Sequence, residues 1–114
     1  MRVLKFGGTS VRDAERIGRA ADLVVSALER SQVCVVVSAL GGVTDELEDA
    51  ALASARGESV FAARCGELTQ RHIEAAAGVA EGAELEALGR HIEDHFEALR
   101  KVLEGISLVR ECSL

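Results

Sequence analysis

The stretch Lys5-Phe6-Gly7-Gly8-Thr9-Ser10 sets a lysine at the end of a β-favouring segment, two glycines behind it and two hydroxyls at the expected start of a helix. These residue types make an anion site. Glycines let backbone N–H groups approach oxyanions, a helix N-terminus adds positive potential, and an ammonium can neutralise charge on a transferring phosphoryl group. The order is not that of the P-loop, in which the lysine follows the glycines. A lysine beside two glycines is equally the makings of an ordinary strand-to-helix turn. A second loop, Ser38-Ala39-Leu40-Gly41-Gly42-Val43-Thr44, repeats the combination of glycines, hydroxyls and helix start. In a parallel βαβ unit both loops leave the carboxyl-terminal edge of the sheet, where ligands of open α/β folds bind, so the two would face one crevice.

The elements that must position these loops are legible around them. Arg2 to Phe6 reads as a strand ended by the glycine pair. Ser10 is the expected cap of a helix whose apolar positions Val11, Ala14, Ile17, Ala21, Val24, Val25 and Leu28 recur at helical spacing, with the charged residues largely off that stripe. Val33 to Val37 is apolar and largely β-branched, the pattern of a strand covered on both faces. Strand, helix and strand make a βαβ unit with parallel strands.

Helical pattern fills the remainder. Thr44 is the expected cap of a helix to about Ser54, with Asp45 and Glu46 in its first turn. Ser59 opens a third helix with Phe61, Cys65, Leu68, His72 and Ile73 on one stripe, closed by Gly78 to Gly82. A fourth carries Leu85, Leu88, Ile92, Phe96, Leu99, Val102, Leu103 and Ile106, supported by a Glu97–Lys101 pair and stopped at Gly105. The expected organisation is a βαβ unit with both loops over residues 1–55 and a helical lobe over 56–114.

Composition narrows the possible partners. The 114 residues carry a formal charge of −6, which opposes binding to a nucleic-acid backbone. The apolar run around residues 33–40 is too short to span a membrane. The strand beginning at Arg2 leaves no room for a secretory signal, so a cytoplasmic location is expected. Cys34, Cys65 and Cys112 are odd in number and scattered, which fits neither a disulfide framework nor zinc-ligand spacing; Cys34 is expected as a small buried hydrophobe. His91 and His95 stand one helical turn apart, but Ile92 occupies the place of a metalloprotease glutamate, and no metal site is expected. The cluster Asp45, Glu46, Glu48 and Asp49 lacks the glycine-centred loop of a calcium site and reads as a solvated helix start.

KFGGTS, extended by Val11, resembles the opening signature of aspartokinases within the amino-acid kinase family. VVVSALGGVTDEL, from Val35 to Leu47, is similar to that family's second glycine-bearing loop. LEGISLVREC, from Leu103 to Cys112, resembles the bifunctional aspartokinase–homoserine dehydrogenases. The resemblance implies an α/β fold, with this chain as the first βαβ unit of an αβα sandwich plus a helical extension. It further implies ATP-dependent phosphorylation of the L-aspartate side-chain carboxylate, with Mg2+ accompanying ATP. Lys5 would contact the phosphates and stabilise charge during transfer, Phe6, Gly7, Gly8 and Ser10 would form the nucleotide loop, and Ser38 and Thr44 would hold the amino acid. In such a transfer, positioning and charge neutralisation suffice, since the substrate carboxylate is itself the nucleophile.

The family's later acidic substrate segment and nucleotide-holding strands have no counterpart here, so this polypeptide alone is expected not to phosphorylate aspartate. Two strands with open edges are marginal by themselves, which predicts a homo-oligomer, a dimer in the simplest case. The competing readings are a non-catalytic helical association module and a relative of the kinase family acting on another carboxylate.

Overall fold

The computed structural model describes residues 1–112, with side-chain surroundings as far as Arg110. Its elements are β1 (Arg2–Phe6), α1 (Ala14–Leu28), β2 (Val33–Val37), α2 (Val43–Ala55), α3 (Phe61–Ala77) and α4 (Gly82–Cys112). The protein is thus mostly helical with one two-stranded parallel sheet. It divides into two compact units, Met1–Thr44 and the residues from Asp45 onward.

In the first unit both strands fall on the segments that the apolar patterns mark. They run in register from Arg2 against Val33 to Phe6 against Val37. Strand alternation turns Leu4 and Phe6 to one face, where they meet Val11, Ile17, Ala20 and Val24 around α1 and Leu40 from the second loop. The expectation that β2 is covered on both faces is not met. Val35, Val36 and Val37 remain 42%, 46% and 60% exposed, and Cys34 is exposed rather than buried. Only α1 lies against the sheet within this unit, so one face and the outer edges stay open.

Three helix starts differ from the sequence expectation. α1 begins at Ala14 with Asp13, not Ser10, as its cap: Asp13 is extended (φ −147°, ψ 174°) and its carboxylate accepts from the Arg16 N–H at 2.9 Å. Asp competes as well as Ser at this position, and Gly7–Ser10 is spent on a turn of its own. α2 begins at Val43, leaving Thr44 inside the first turn; the chain enters through Gly42 at φ 84°, and the Val43 N–H bonds the Leu40 carbonyl at 2.9 Å. α3 begins at Phe61, and Val60 before it supplies no side-chain cap.

The second unit is built on helix packing. Ala50, Cys65 and Leu103 form its buried cluster with Phe61 and Leu99 against them, and Leu68 is 2% exposed. His72 stacks at a tilt on Phe96, ring centres 4.9 Å apart, while its Nδ1 lies 2.7 Å from the Leu68 carbonyl. α4 passes through Gly105 to Cys112 instead of stopping there. Burial of Leu103 and a bond from the Ser107 hydroxyl to the Glu58 carbonyl (3.3 Å) fasten the helix on both sides of that glycine. The anticipated attraction of Lys101 for Glu97 is joined by a stronger partner, Arg100, whose guanidinium takes Glu97 at 2.7 and 2.9 Å and Glu104 at 3.0 Å, a fork geometry that lysine cannot offer.

Candidate functional site

The parallel register delivers both glycine loops to one end of the sheet, and there they touch. The Ser38 N–H bonds the Phe6 carbonyl at 3.0 Å, which carries the ladder one step past β2 and starts the second loop beside the first. A methyl group on Gly8 would stand 3.4 Å from the Gly41 Cα and 3.5 Å from the Ser38 Oγ. On Gly41 it would stand 3.1 Å from the Gly8 carbonyl oxygen and 3.2 Å from the Arg12 Cγ. Glycine at position 41 is therefore explained by the approach of the loops, whereas a methyl on Gly8 would make ordinary van der Waals contact. Gly7 is different: a methyl there would meet nothing within 4 Å, and its φ is not positive, so neither the packing nor the backbone of this chain calls for glycine.

Within the first loop, the Ser10 N–H closes a turn on the Gly7 carbonyl at 2.9 Å. Arg16 reaches back from α1 and donates from Nη1 to the Thr9 carbonyl at 2.8 Å, so the helix steadies the loop that precedes it. The positive end of α1 lies three residues beyond the expected place and faces the Asp13 carboxylate. Helix-dipole attraction for an external anion is thereby diminished at this loop, which leaves loop amides, hydroxyls and Lys5 as its anion-attracting groups. Lys5 is exposed and has no ion pair among the described residues. Strand alternation sets its side chain on the face opposite Phe6, which is 9% exposed and belongs to the core beneath α1.

In the second loop, the Ser38 hydroxyl donates to the Ala39 carbonyl at 2.7 Å. Thr44 is exposed in the first turn of α2. The expected site residues thus gather at one rim of the sheet but not in one cavity. Thr9, Ser10 and Phe6 border a cleft of about 290 Å3 on the α1 side. Lys5 borders a second, of about 220 Å3, that shares Phe6 and Leu23 with the first; Ser38 and Thr44 border neither.

Two residues that the sequence reading passed over help to shape the rim. Arg12 lies against Gly41, and Asp13 fixes where α1 starts. Asp13 carried a readable signal, an Asp directly before the periodic apolar stripe, whereas nothing in one sequence marks Arg12.

The described residues hold no group of three His, Cys, Asp or Glu able to share a metal ion. His91 and His95 both lie on exposed positions of α4. Burial pushes the Cys65 thiol above its usual pKa. The thiol of Cys112 lies outside the described residues.

A family model described as the amino acid kinase family matches residues 1–103. Among curated relatives, "Aspartokinase 2, chloroplastic" of Arabidopsis thaliana is 36% identical over 117 aligned residues, covering 98% of this chain and 20% of the relative. "Aspartokinase" of Mycobacterium tuberculosis is 52% identical over 50 residues, 43% of this chain and 12% of the relative. "Bifunctional aspartokinase/homoserine dehydrogenase 1, chloroplastic" of Arabidopsis thaliana is 35% identical over 105 residues, 91% of this chain and 11% of the relative. The chain spans about a fifth or less of the length of these relatives.

Proposed function

The chain belongs to the amino acid kinase family, and from that premise we propose that it is the amino-terminal part of an aspartokinase catalytic domain, contributing to ATP-dependent phosphorylation of the L-aspartate side-chain carboxylate. The observation that carries the reading is the meeting of the two glycine loops at one sheet edge, with Gly8 against Gly41 and, one residue before the end of β1, a lysine that has no ion pair among the described residues. In this reading Gly7 and Gly8 present amides to the phosphates, the Ser10 hydroxyl donates to them, and Phe6 anchors the loop from below. Gly7, for which the chain itself has no steric need, leaves clearance for a phosphate oxygen. Lys5 offsets charge as the γ-phosphoryl group moves. Ser38 and Thr44 hold the amino acid at the second loop.

The fit to Mg2+ is limited by the donors present. Lys5, Gly7, Gly8, Ser10, Ser38 and Thr44 include no carboxylate, so the ion would arrive on the nucleotide phosphates, its usual carriers in such sites, where it would supply further charge neutralisation.

One titration tests the assignment. Mg-ATP added to the isotope-labelled polypeptide is expected to shift the amide resonances of Gly7, Gly8 and Ser10, and Lys5→Ala is expected to remove the effect. Shifts confined to α3 and α4, or unchanged by the substitution, would refute it. Aspartyl phosphate is not expected to form from this polypeptide alone, because the two loops supply only part of the contacts that an in-line transfer needs. A cytoplasmic location and self-association through the open strand edges complete the proposal; sedimentation as a monomer at high concentration would dispose of the latter.

A further inference from the structure

The peptide group between Thr9 and Ser10 is held at both of its polar ends. Its carbonyl oxygen accepts from the Arg16 Nη1 at 2.8 Å, and its N–H donates to the Gly7 carbonyl at 2.9 Å. A trans peptide is planar, so bonds on its two opposite sides fix the orientation of the whole group. The fixing matters because Gly7 and Gly8, just before it, have backbones free to take many orientations. The N–H groups of Gly7, Gly8 and Thr9 donate to no backbone carbonyl among the described residues. Their direction is therefore set between β1 on one side and the held peptide on the other.

Arg16 works from a firm base. Its own N–H donates to the Asp13 carboxylate at 2.9 Å, its neighbour Ile17 packs on the core of Phe6, Val11 and Ala20, and Arg16 itself is half-buried. A single N–H makes the contact with the loop, unlike the two-pronged hold of Arg100 on Glu97. We infer that Arg16 is a positioning residue of the first glycine loop: it pins the Thr9–Ser10 peptide, so that the amides before it are already aimed at phosphate oxygens, and it acts through the Thr9 carbonyl rather than on the phosphates. The inference rests on the nucleotide reading above and assigns part of the affinity for ATP to a side chain of α1 that need not meet the nucleotide. A loop ordered by the fold binds more tightly than one that must be ordered by its ligand.

Two variants of the full chain test this. Arg16→Met keeps the aliphatic stem and the helix propensity but has no donor. In the ligand-free protein it is expected to move the carbon-13 signal of the Thr9 carbonyl and to speed hydrogen exchange at the Ser10 amide. Mg-ATP, followed at Gly7 and Gly8, should then bind about tenfold more weakly, the effect of one hydrogen bond from a charged donor. Arg16→Lys can still supply one charged N–H, and should restore the carbonyl signal and bring the affinity to within about threefold of wild type. Position 16 lies outside the buried cluster, so both variants are expected to keep the wild-type spectrum elsewhere. A charge acting directly on the phosphates would lose its effect in about 0.5 M salt, whereas a loop brace would not. The inference is overturned if Arg16→Met binds Mg-ATP as wild type does, if its loss vanishes at that salt concentration, or if Arg16→Lys restores the affinity without the Thr9 signal. A wild-type ATP response that Arg16→Met leaves intact sinks this inference alone, while a wild type that gives no response at Gly7 and Gly8 sinks the nucleotide reading and this inference with it.

Discussion

The two units of this chain differ in how they are packed and in where their glycine loops lie. Residues 1–44 hold both glycine loops and an excess of cations, yet their core is a thin layer of Leu4, Phe6, Val11, Ile17 and Ala20 between one helix and one face of a two-stranded sheet. From Asp45 onward there are fifteen Asp and Glu against seven Lys and Arg, a tight helical core, and no glycine loop that follows a strand. A loop can present amides and hydroxyls to a ligand only by leaving them unused in the fold, which is what the proposed function asks of the loops in residues 1–44. The helical unit pairs several of its polar groups internally, Arg100 with Glu97 and Glu104, Thr69 with the Cys65 carbonyl and Ser107 with the Glu58 carbonyl, although the buried Ser54 hydroxyl has no partner among the described residues.

The sharpest way to break this contrast is through the two cores. Leu68→Ala removes a fully buried side chain from the helical unit and is expected to cost about 2–5 kcal/mol, read as a lowered urea midpoint with lost amide protection across α3. Were the unfolding free energy to change by less than a few tenths of a kcal/mol, the helical core would not be the packed unit described. Next in size, Gly41→Ala forces a methyl to 3.1 Å from the Gly8 carbonyl oxygen and should cost about 1–3 kcal/mol. Gly7→Ala, with open space before it, should leave stability within about 0.5 kcal/mol while abolishing the amide shifts that Mg-ATP produces. Equal losses at the two glycines would end the distinction between a glycine kept for packing and one kept for a ligand.

A smaller effect separates the two cap candidates at α1. Asp13→Ala should destabilise by about 1 kcal/mol, and Ser10→Ala by far less, in thermal or urea unfolding. This is also where the sequence reading met its limit. Both strands, their parallel pairing and the rim shared by the loops could be read from residues alone, because a five-residue apolar run and a glycine pair leave few other arrangements. Helix starts could not, since Thr9-Ser10-Val11-Arg12-Asp13 offers three capping residues within five positions and the turn closed by Ser10 on Gly7 decides among them. β2 was misjudged for another reason: a Val-rich run reports what a strand can tolerate, and Val37 at 60% exposure has nothing over it within its unit. Gly105 misled because a glycine stops a helix only where no packing continues, and Leu103 and Ser107 continue it.

Cys34 and Cys65 probe the same contrast by reactivity. Cys34 is exposed on β2, whereas Cys65 is buried and its thiol is pushed above the ordinary range by that burial. A raised thiol pKa means less thiolate at a given pH, so alkylation of Cys65 should lag behind that of Cys34 at mildly alkaline pH by about tenfold or more, as followed by peptide mass mapping. Comparable rates would mean that the α3–α4 core opens as readily as the sheet.

The smallest expected effect concerns the charges that the helical unit satisfies internally. The hydrogen bonds from Arg100 hold the Glu97 carboxyl below its usual pKa, and Glu97 in turn raises that of Arg100. A carboxylate with a depressed folded-state pKa contributes stability above its unfolded pKa, and that contribution fades as pH falls through the folded value. Glu97→Gln should therefore lower the unfolding midpoint slightly at neutral pH and not at all well below the ordinary carboxylate range. The pair is solvent-exposed, so added salt should shrink the neutral-pH difference. A difference that persisted in strong acid would have to come from packing of the side chain, and Arg100 would then be a structural strut on α4 rather than the charge partner that its fork geometry indicates.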